Sequence, residues 1–418
     1  MVGVAALAAT SCDLKTHPGP EPAATAVTAT TTATVTASAA PEEPAGDPEK
    51  GKALVTQFEC SRCHEGTGAA SAPLEKACFT CHVKILSGEF KSPRSAAARW
   101  HDRVLDLQHV PSLTASQKRF RRSWITSFLL DPQDLRPRLG PTMPRLPLSR
   151  EQARDLAAYL AAPDDAAARP DFSHADAARG RKLMEAKGCP SCHVFTGVPA
   201  LEGAAPLRDR ADDRNLSAGM ALAPDLRFAR DRLRPEALLA WVSNPKKVKP
   251  DTAMPEYDLP PDEARDIAAY ILGASLAAPE PRVLPARLPV LERKVAYDEV
   301  SEKVFRRTCW HCHGEPDYAA GDGGPGNTGG FGFKPRGVSF VDYGSIQSGR
   351  TDDAGERHSL FEKGPDGTPR LVRALLARRD EEAGHPDAQI RGMPLGYPSL
   401  SPEELQLVET WVAQGRPR

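Results

Sequence analysis

Apolar positions three and four residues apart recur in short amphipathic stretches, separated by long polar or proline-rich runs, which is the pattern of small helices joined by irregular chain. Searched for self-similarity, the chain beyond residue 48 falls into three units. Each opens on a candidate helix: Gly51-Lys52-Ala53-Leu54 in the first, Gly180-Arg181-Lys182-Leu183 in the second, and residues 300–307 in the third. Each closes on another. Residues 151–160 and 262–271 align without a gap, and Ser401-Pro402-Glu403-Glu404 leads a third closing helix to Trp411. Ser401 with Glu404 predicts a capping box with Pro at the first helical position, and Ser149 with Gln152 repeats it. Tyr159, Tyr270 and Trp411 fall at matching places and read as packing residues. The first two units also share a middle segment, 121–132 against 234–245, where Trp124-Ile125 and Phe128-Leu129 correspond to Ala237-Leu238 and Trp241-Val242. The spacing predicts a helix there that stops at Asp131-Pro132 and at Asn244-Pro245, because Pro disfavours helix at the residue before it.

Composition narrows the picture. Length alone suggests two to four domains. Aromatic residues are 6% of the chain and Pro reaches 40 residues, so apolar burial is thin, loops are long, and the cores need filling by something besides side chains. Lys plus Arg is 54 against 55 for Asp plus Glu, with no basic block, which argues against nucleic acid as a partner. No apolar run approaches the ~20 residues of a spanning helix. From about residue 16 to 48 the chain is Ala, Thr, Pro and Glu without a period, a disordered tether. Residues 1–11, small and apolar, end at Cys12. They resemble the tail of a bacterial lipoprotein signal, truncated, with Cys12 as the lipidated residue and a membrane as its partner; an ordinary terminus and a plain linker are the other reading.

The chemistry lies in the remaining eight of nine cysteines. They form Cys60-Ser61-Arg62-Cys63-His64, Cys78-Phe79-Thr80-Cys81-His82, Cys189-Pro190-Ser191-Cys192-His193 and Cys309-Trp310-His311-Cys312-His313. Chance placement of these residue types gives about 0.005 such pentapeptides, so four are a design. Two thiols one turn apart can add to the vinyl groups on one porphyrin edge, and the adjacent His then meets the iron. Four covalently bound haem c groups follow, with His64, His82, His193 and His313 as proximal ligands, whose other ring nitrogen should be hydrogen-bonded to a carbonyl. Zinc is the competing reading for Cys60, Cys63, Cys78 and Cys81. The two isolated pairs and the His after every pair speak against it, and no strand-helix-strand pattern supports thiol-disulfide exchange.

Helix, Cys-x-x-Cys-His, loop-rich middle, Met-Pro and closing helix together resemble class I cytochrome c domains. The resemblance implies a mainly α chain of three cytochrome c-like helical domains in tandem with long irregular loops: a dihaem domain at 49–165, a monohaem domain at 170–278, a linker at 279–296 and a monohaem domain at 297–418. Carried over by position, Met143 would face His64, Met254 would face His193 and Met393 would face His313. The haem on Cys78 and Cys81 is left over; His101 or His109 would complete a bis-His site of lower potential, or its iron would stay open. His358 and His385 rival Met393, and Met184 and Met220 read as structural. Gly321-Asp322-Gly323-Gly324-Pro325-Gly326 spells a nucleotide loop but lacks the flanking strand and helix, and reads as chain wrapping a haem.

The function so implied is electron transfer in a bacterial cell envelope, on the periplasmic or outer-surface side, as a carrier or the electron-transfer subunit of a respiratory complex with redox proteins as donor and acceptor. The other class is a haem enzyme, a peroxidase or small-molecule reductase, which would need an open iron and acid-base groups around it.

Overall fold

The computed structural model of this 418-residue chain describes residues 44–104, 110–133, 135–139, 143–164, 170–208, 216–280, 283–314, 326 and 330–418, except for the side chains of residues 99, 102 and 103. The chain divides into Met1–Pro44 and a body, Ala45–Arg418. Cys12, nearly all of the tether, His109 and most of the glycine-rich stretch 321–332 lie outside the described residues. The body is mainly helical, and among the described residues no helix is long and apolar enough to cross a membrane.

The first third of the body holds α1 (Pro48–Gln57), α2 (Cys78–Ser87), α3 (Arg94–Val104), α4 (Arg122–Leu130) and α5 (Arg150–Leu160). The Asp47 carboxylate caps the amides of Glu49 and Lys50, with Pro48 at the first turn, which fixes the start of α1. The second third holds α6 (Ala177–Ala186), α7 (Pro235–Ser243) and α8 (Pro261–Gly273). As expected from Pro132 and Pro245, α4 and α7 stop at Leu130 and Ser243.

Opening and closing helices cross in one way in both parts. A Cβ on Gly51 would lie 2.0 Å from the Asp155 carbonyl oxygen, and one on Gly180 would lie 2.0 Å from that of Asp266, so only glycine permits the approach. The buried carboxylates of Asp155 and Asp266 lock each crossing, accepting the Asp47 and Asp176 amides at 2.8 Å. One core gathers Leu54, Val55, Phe58, Ile125, Leu129 and Leu156; another gathers Met184, Leu238, Val242, Ile267 and Ile271.

The last third is built differently. Where an α-helix was expected before Cys309, the chain forms a π-type helix, Ser301–Cys309, between the single turns Tyr297–Val300 and Trp310–His313. The wider turn sets Val300 over Phe305 and Val304 over Cys309 on the buried face. They pack with Trp411 on α10 (Pro402–Ala413), whose capping box between Ser401 and Glu404 has both bonds, as does that between Ser149 and Gln152. Between them lie α9 (Arg370–Glu382) and an antiparallel pair, β1 (Arg350–Thr351) with β2 (Arg357–His358). The preceding stretch lies along α10: Leu291 donates its amide to Thr410 Oγ1 at 3.0 Å, and Gln406 Nε2 donates to the Pro289 carbonyl at 2.6 Å.

The three parts share seams. Phe120 and Leu233 form an antiparallel bridge, with Arg121 N donating to Arg232 O and Arg234 N to Arg119 O, each at 2.9 Å. At the other seam Phe331 donates its amide to Glu59 Oε2 at 3.3 Å and lies under the buried guanidinium of Arg62.

Candidate functional site

After three of the four cysteine pairs the histidine is oriented by a backbone clip. His64 Nδ1 lies 2.8 Å from Pro111 O, and Leu113 N donates back to Glu65 O at 2.8 Å. His193 Nδ1 lies 2.9 Å from Pro224 O, while Leu226 N donates to Val194 O at 2.9 Å. His313 Nδ1 lies 3.2 Å from Val338 O, with Phe340 N donating to His313 O at 2.8 Å. A carbonyl only accepts, so each Nδ1 carries the proton and each Nε2 keeps a lone pair. Burial pushes the His64 and His193 imidazoles below their usual range, against the hydrogen bonds that raise them, which keeps them neutral. A neutral imidazole with a bare Nε2 is an iron ligand in waiting.

The clip around His193 is reinforced. Asp225 accepts from Thr196 Oγ1 at 2.6 Å, from Thr196 N at 3.1 Å and from Arg227 N at 2.9 Å, fixing the turn that presents Pro224 O. From the first third, the fully buried Arg138 donates to Cys192 O at 2.9 Å.

All four histidines face one continuous cavity of about 1730 Å³. That exceeds the ~300–1,000 Å³ of a pocket for one small ligand. Seven of the eight paired cysteines line it, Cys81 being the exception, as do Met143, Met254 and Met393. Trp241 Nε1 donates to Met254 Sδ at 2.9 Å, which holds that thioether in the wall and leaves it a second lone pair. Burial drives the Cys60 and Cys81 thiols up to about 11 and Cys309 to about 12. Cys63 and Cys78 share a hydrogen bond; with burial it drives Cys63 up, and it draws Cys78 down to about 6, assisted by Arg62 and His311.

Cations without carboxylates also line the cavity. Arg119 lies over the Trp241 ring at 5.2 Å, and Arg232 over Phe120 at 5.2 Å and Trp124 at 5.7 Å. Among the described residues neither has an ion-pair partner. Burial, then Arg119 and Arg136, draws the Arg232 guanidinium down to about 10. Desolvated cations aimed into an apolar cavity suit the acidic edge of a porphyrin. Thiol pairs, bare imidazole nitrogens, thioethers and guanidinium groups are a donor set that fits haem. The histidines and methionines would hold the iron, the cysteines the vinyl edges and the arginines the carboxylates.

The other sequence candidates fall elsewhere. His101 is exposed on α3 and not on the cavity. His358 bonds the Asp352 carboxylate from Nε2 at 3.0 Å, and His385 is exposed; neither lines the cavity. Met184 is a buried core residue in the cavity wall. The sequence reading passed over His311, which lines the cavity beside His82, and the arginine pair.

No curated protein and no solved structure matches the chain. Residues 177–275, from α6 through the His193 clip and Met254 to the end of α8, match the family model described as Cytochrome c, so the chain carries a cytochrome c domain whose chemistry is electron transfer by covalently bound haem.

Proposed function

We propose that the chain is a tetrahaem c-type cytochrome that moves electrons in a bacterial cell envelope, as a carrier or the electron-transfer subunit of a respiratory complex. The single observation that carries this reading is the shared cavity, in which four Cys-x-x-Cys-His histidines and the three Met-Pro methionines meet. Three cytochrome c-like domains, dihaem at 49–165 and monohaem at 170–278 and 297–418, would close around it. Their ligand pairs are His64 with Met143, His193 with Met254 and His313 with Met393; the haem on Cys78 and Cys81 takes His82. Held side by side, the irons pass electrons between neighbours, while differing ligands grade their potentials. Redox proteins are the partners, and lipid on Cys12 with the tether after it would keep the body near a membrane.

Mass spectrometry of the intact protein tests the reading, with haem quantified after acidified acetone extraction. Four haems that stay with the polypeptide are expected; a colourless zinc protein overturns it. Low-spin spectra indifferent to carbon monoxide separate a carrier from an enzyme with an open iron.

A further inference from the structure

We propose that His311, a spacer residue inside the last Cys-x-x-Cys-His motif, is the sixth ligand of the haem attached to Cys78 and Cys81, opposite His82. This rests on the tetrahaem reading and completes the one site that reading leaves without a second ligand.

The observation is a distance. The His82 and His311 ring centroids lie 6.3 Å apart, with planes inclined by 41°. A metal–imidazole bond is about 2.0 Å, and a ring nitrogen lies about 1.1 Å from its own centroid, so two imidazoles on opposite sides of one metal have centroids about 6 Å apart. Edge contacts between rings span a similar distance, so the surroundings of the two rings decide what stands between them. Both rings line the cavity. His82 is 8% exposed on the first turns of α2, directly after Cys81. Cys78, one of the two attachment points of that haem, lines the same cavity. The His311 ring also meets Tyr397 edge-on at 5.9 Å, and its carbonyl accepts Gly326 N at 3.2 Å, so both ring and backbone are held.

Arrangement of the chain gives this ligand a consequence. His311 lies between Cys309 and Cys312, which attach the last haem. One imidazole on the second iron would thus be joined, through a few covalent bonds, to the thioethers of the fourth haem. That makes the second and fourth haems neighbours in the electron path and pins the first third of the body to the last. With two imidazoles, the second haem would also have the lowest potential of the four.

The test uses the purified holoprotein. In oxidised wild type, electron paramagnetic resonance and near-infrared magnetic circular dichroism should show one bis-imidazole haem and three imidazole–thioether haems. His311→Ala should retain four haems, because the spacer positions of the four motifs already differ (Ser-Arg, Phe-Thr, Pro-Ser, Trp-His). It should lose the bis-imidazole signal and gain one high-spin haem that binds carbon monoxide. His311→Met should stay low-spin, lose the same signal and raise one potential, a result that misfolding would not give. A wild type with four haems and no bis-imidazole signal overturns the assignment, as does a signal that persists in His311→Ala or disappears in His101→Ala or His109→Ala. Fewer than four attached haems in wild type would instead sink the tetrahaem reading itself.

Discussion

Arg121 and Arg234 hold the same place in successive repeats, and each donates from Nε to a carbonyl across the seam: Arg121 to Leu233 at 3.1 Å and Arg234 to Phe120 at 3.3 Å. The exchange relates the first two thirds of the body by a local two-fold. It is not symmetric in energy. Arg234 is 4% exposed and also gives Nη2 to the Ala162 and Pro163 carbonyls at 2.7 Å each, whereas Arg121 is half-buried. Arg234→Ala takes a charged donor from three carbonyls, that of buried Phe120 among them, and should cost about 3 kcal/mol, against about 1 kcal/mol for Arg121→Ala. Guanidinium denaturation of the two variants at equal haem content measures the difference; equal losses would contradict it.

Glycine at the helix crossings is a second point of test. Because Cβ atoms at Gly51 and Gly180 would meet carbonyl oxygens at 2.0 Å, Gly51→Ala and Gly180→Ala must each push a pair of helices apart, costing about 1–3 kcal/mol despite alanine's better helix propensity. Gly273→Ala, at the end of α8 with nothing near its Cβ, should be neutral or stabilising. Thermal unfolding of the three variants reads the ranking.

Acid stability of the last third should depend on Glu299. Hydrogen bonds from Arg293, at 2.7 and 2.8 Å, and from Lys303, at 2.8 Å, hold its carboxyl down to about 2. The folded pKa lies below the unfolded one, so this stabilisation is complete above about pH 4.5 and is lost as pH falls toward 2. Glu299→Gln should remove that slope and about 1 kcal/mol at neutral pH, solvent screening keeping the figure small. Denaturation midpoints between pH 2 and 6 compare the two; parallel curves would rule Glu299 out.

What could be read from sequence was local or periodic. Caps at Ser149 and Ser401 and the stops before Pro132 and Pro245 are set by neighbours in the chain, and the repeat made Met143, Met254 and Met393 conspicuous. The carbonyls of Pro111, Pro224 and Val338, which orient three histidines, are backbone groups and carry no side-chain signature. His311 was hidden for another reason. Its motif already assigned it a place as spacer, and only the packing of the last third against the first brings it to His82. Arg119 and Arg232 were nearer to being legible, since extending the alignment of Arg121 with Arg234 by two residues pairs them; what they face is a property of the seam.

That seam gives a prediction about potential. Arg119, from the first third, lies over Trp241, the residue that holds Met254; Arg232, from the second third, lies over Trp124 in the wall beside Met143. Each guanidinium thus reaches into the other's part of the cavity, Arg119 while also lying 5.2 Å over Phe120 of its own third. A fixed positive charge near an iron favours the reduced state, which carries one more negative charge, and does so strongly where water is excluded. Arg119→Gln should therefore lower chiefly the potential of the haem on Cys189 and Cys192, and Arg232→Gln chiefly that on Cys60 and Cys63, each by tens of millivolts, where 59 mV is a tenfold change for one electron. The fold should tolerate Arg232→Gln, since burial and the neighbouring Arg119 and Arg136 already oppose that charge. Spectroelectrochemical titration resolves the outcome: a crossed pattern of downward shifts supports the exchange, while shifts confined to each arginine's own repeat would reverse it.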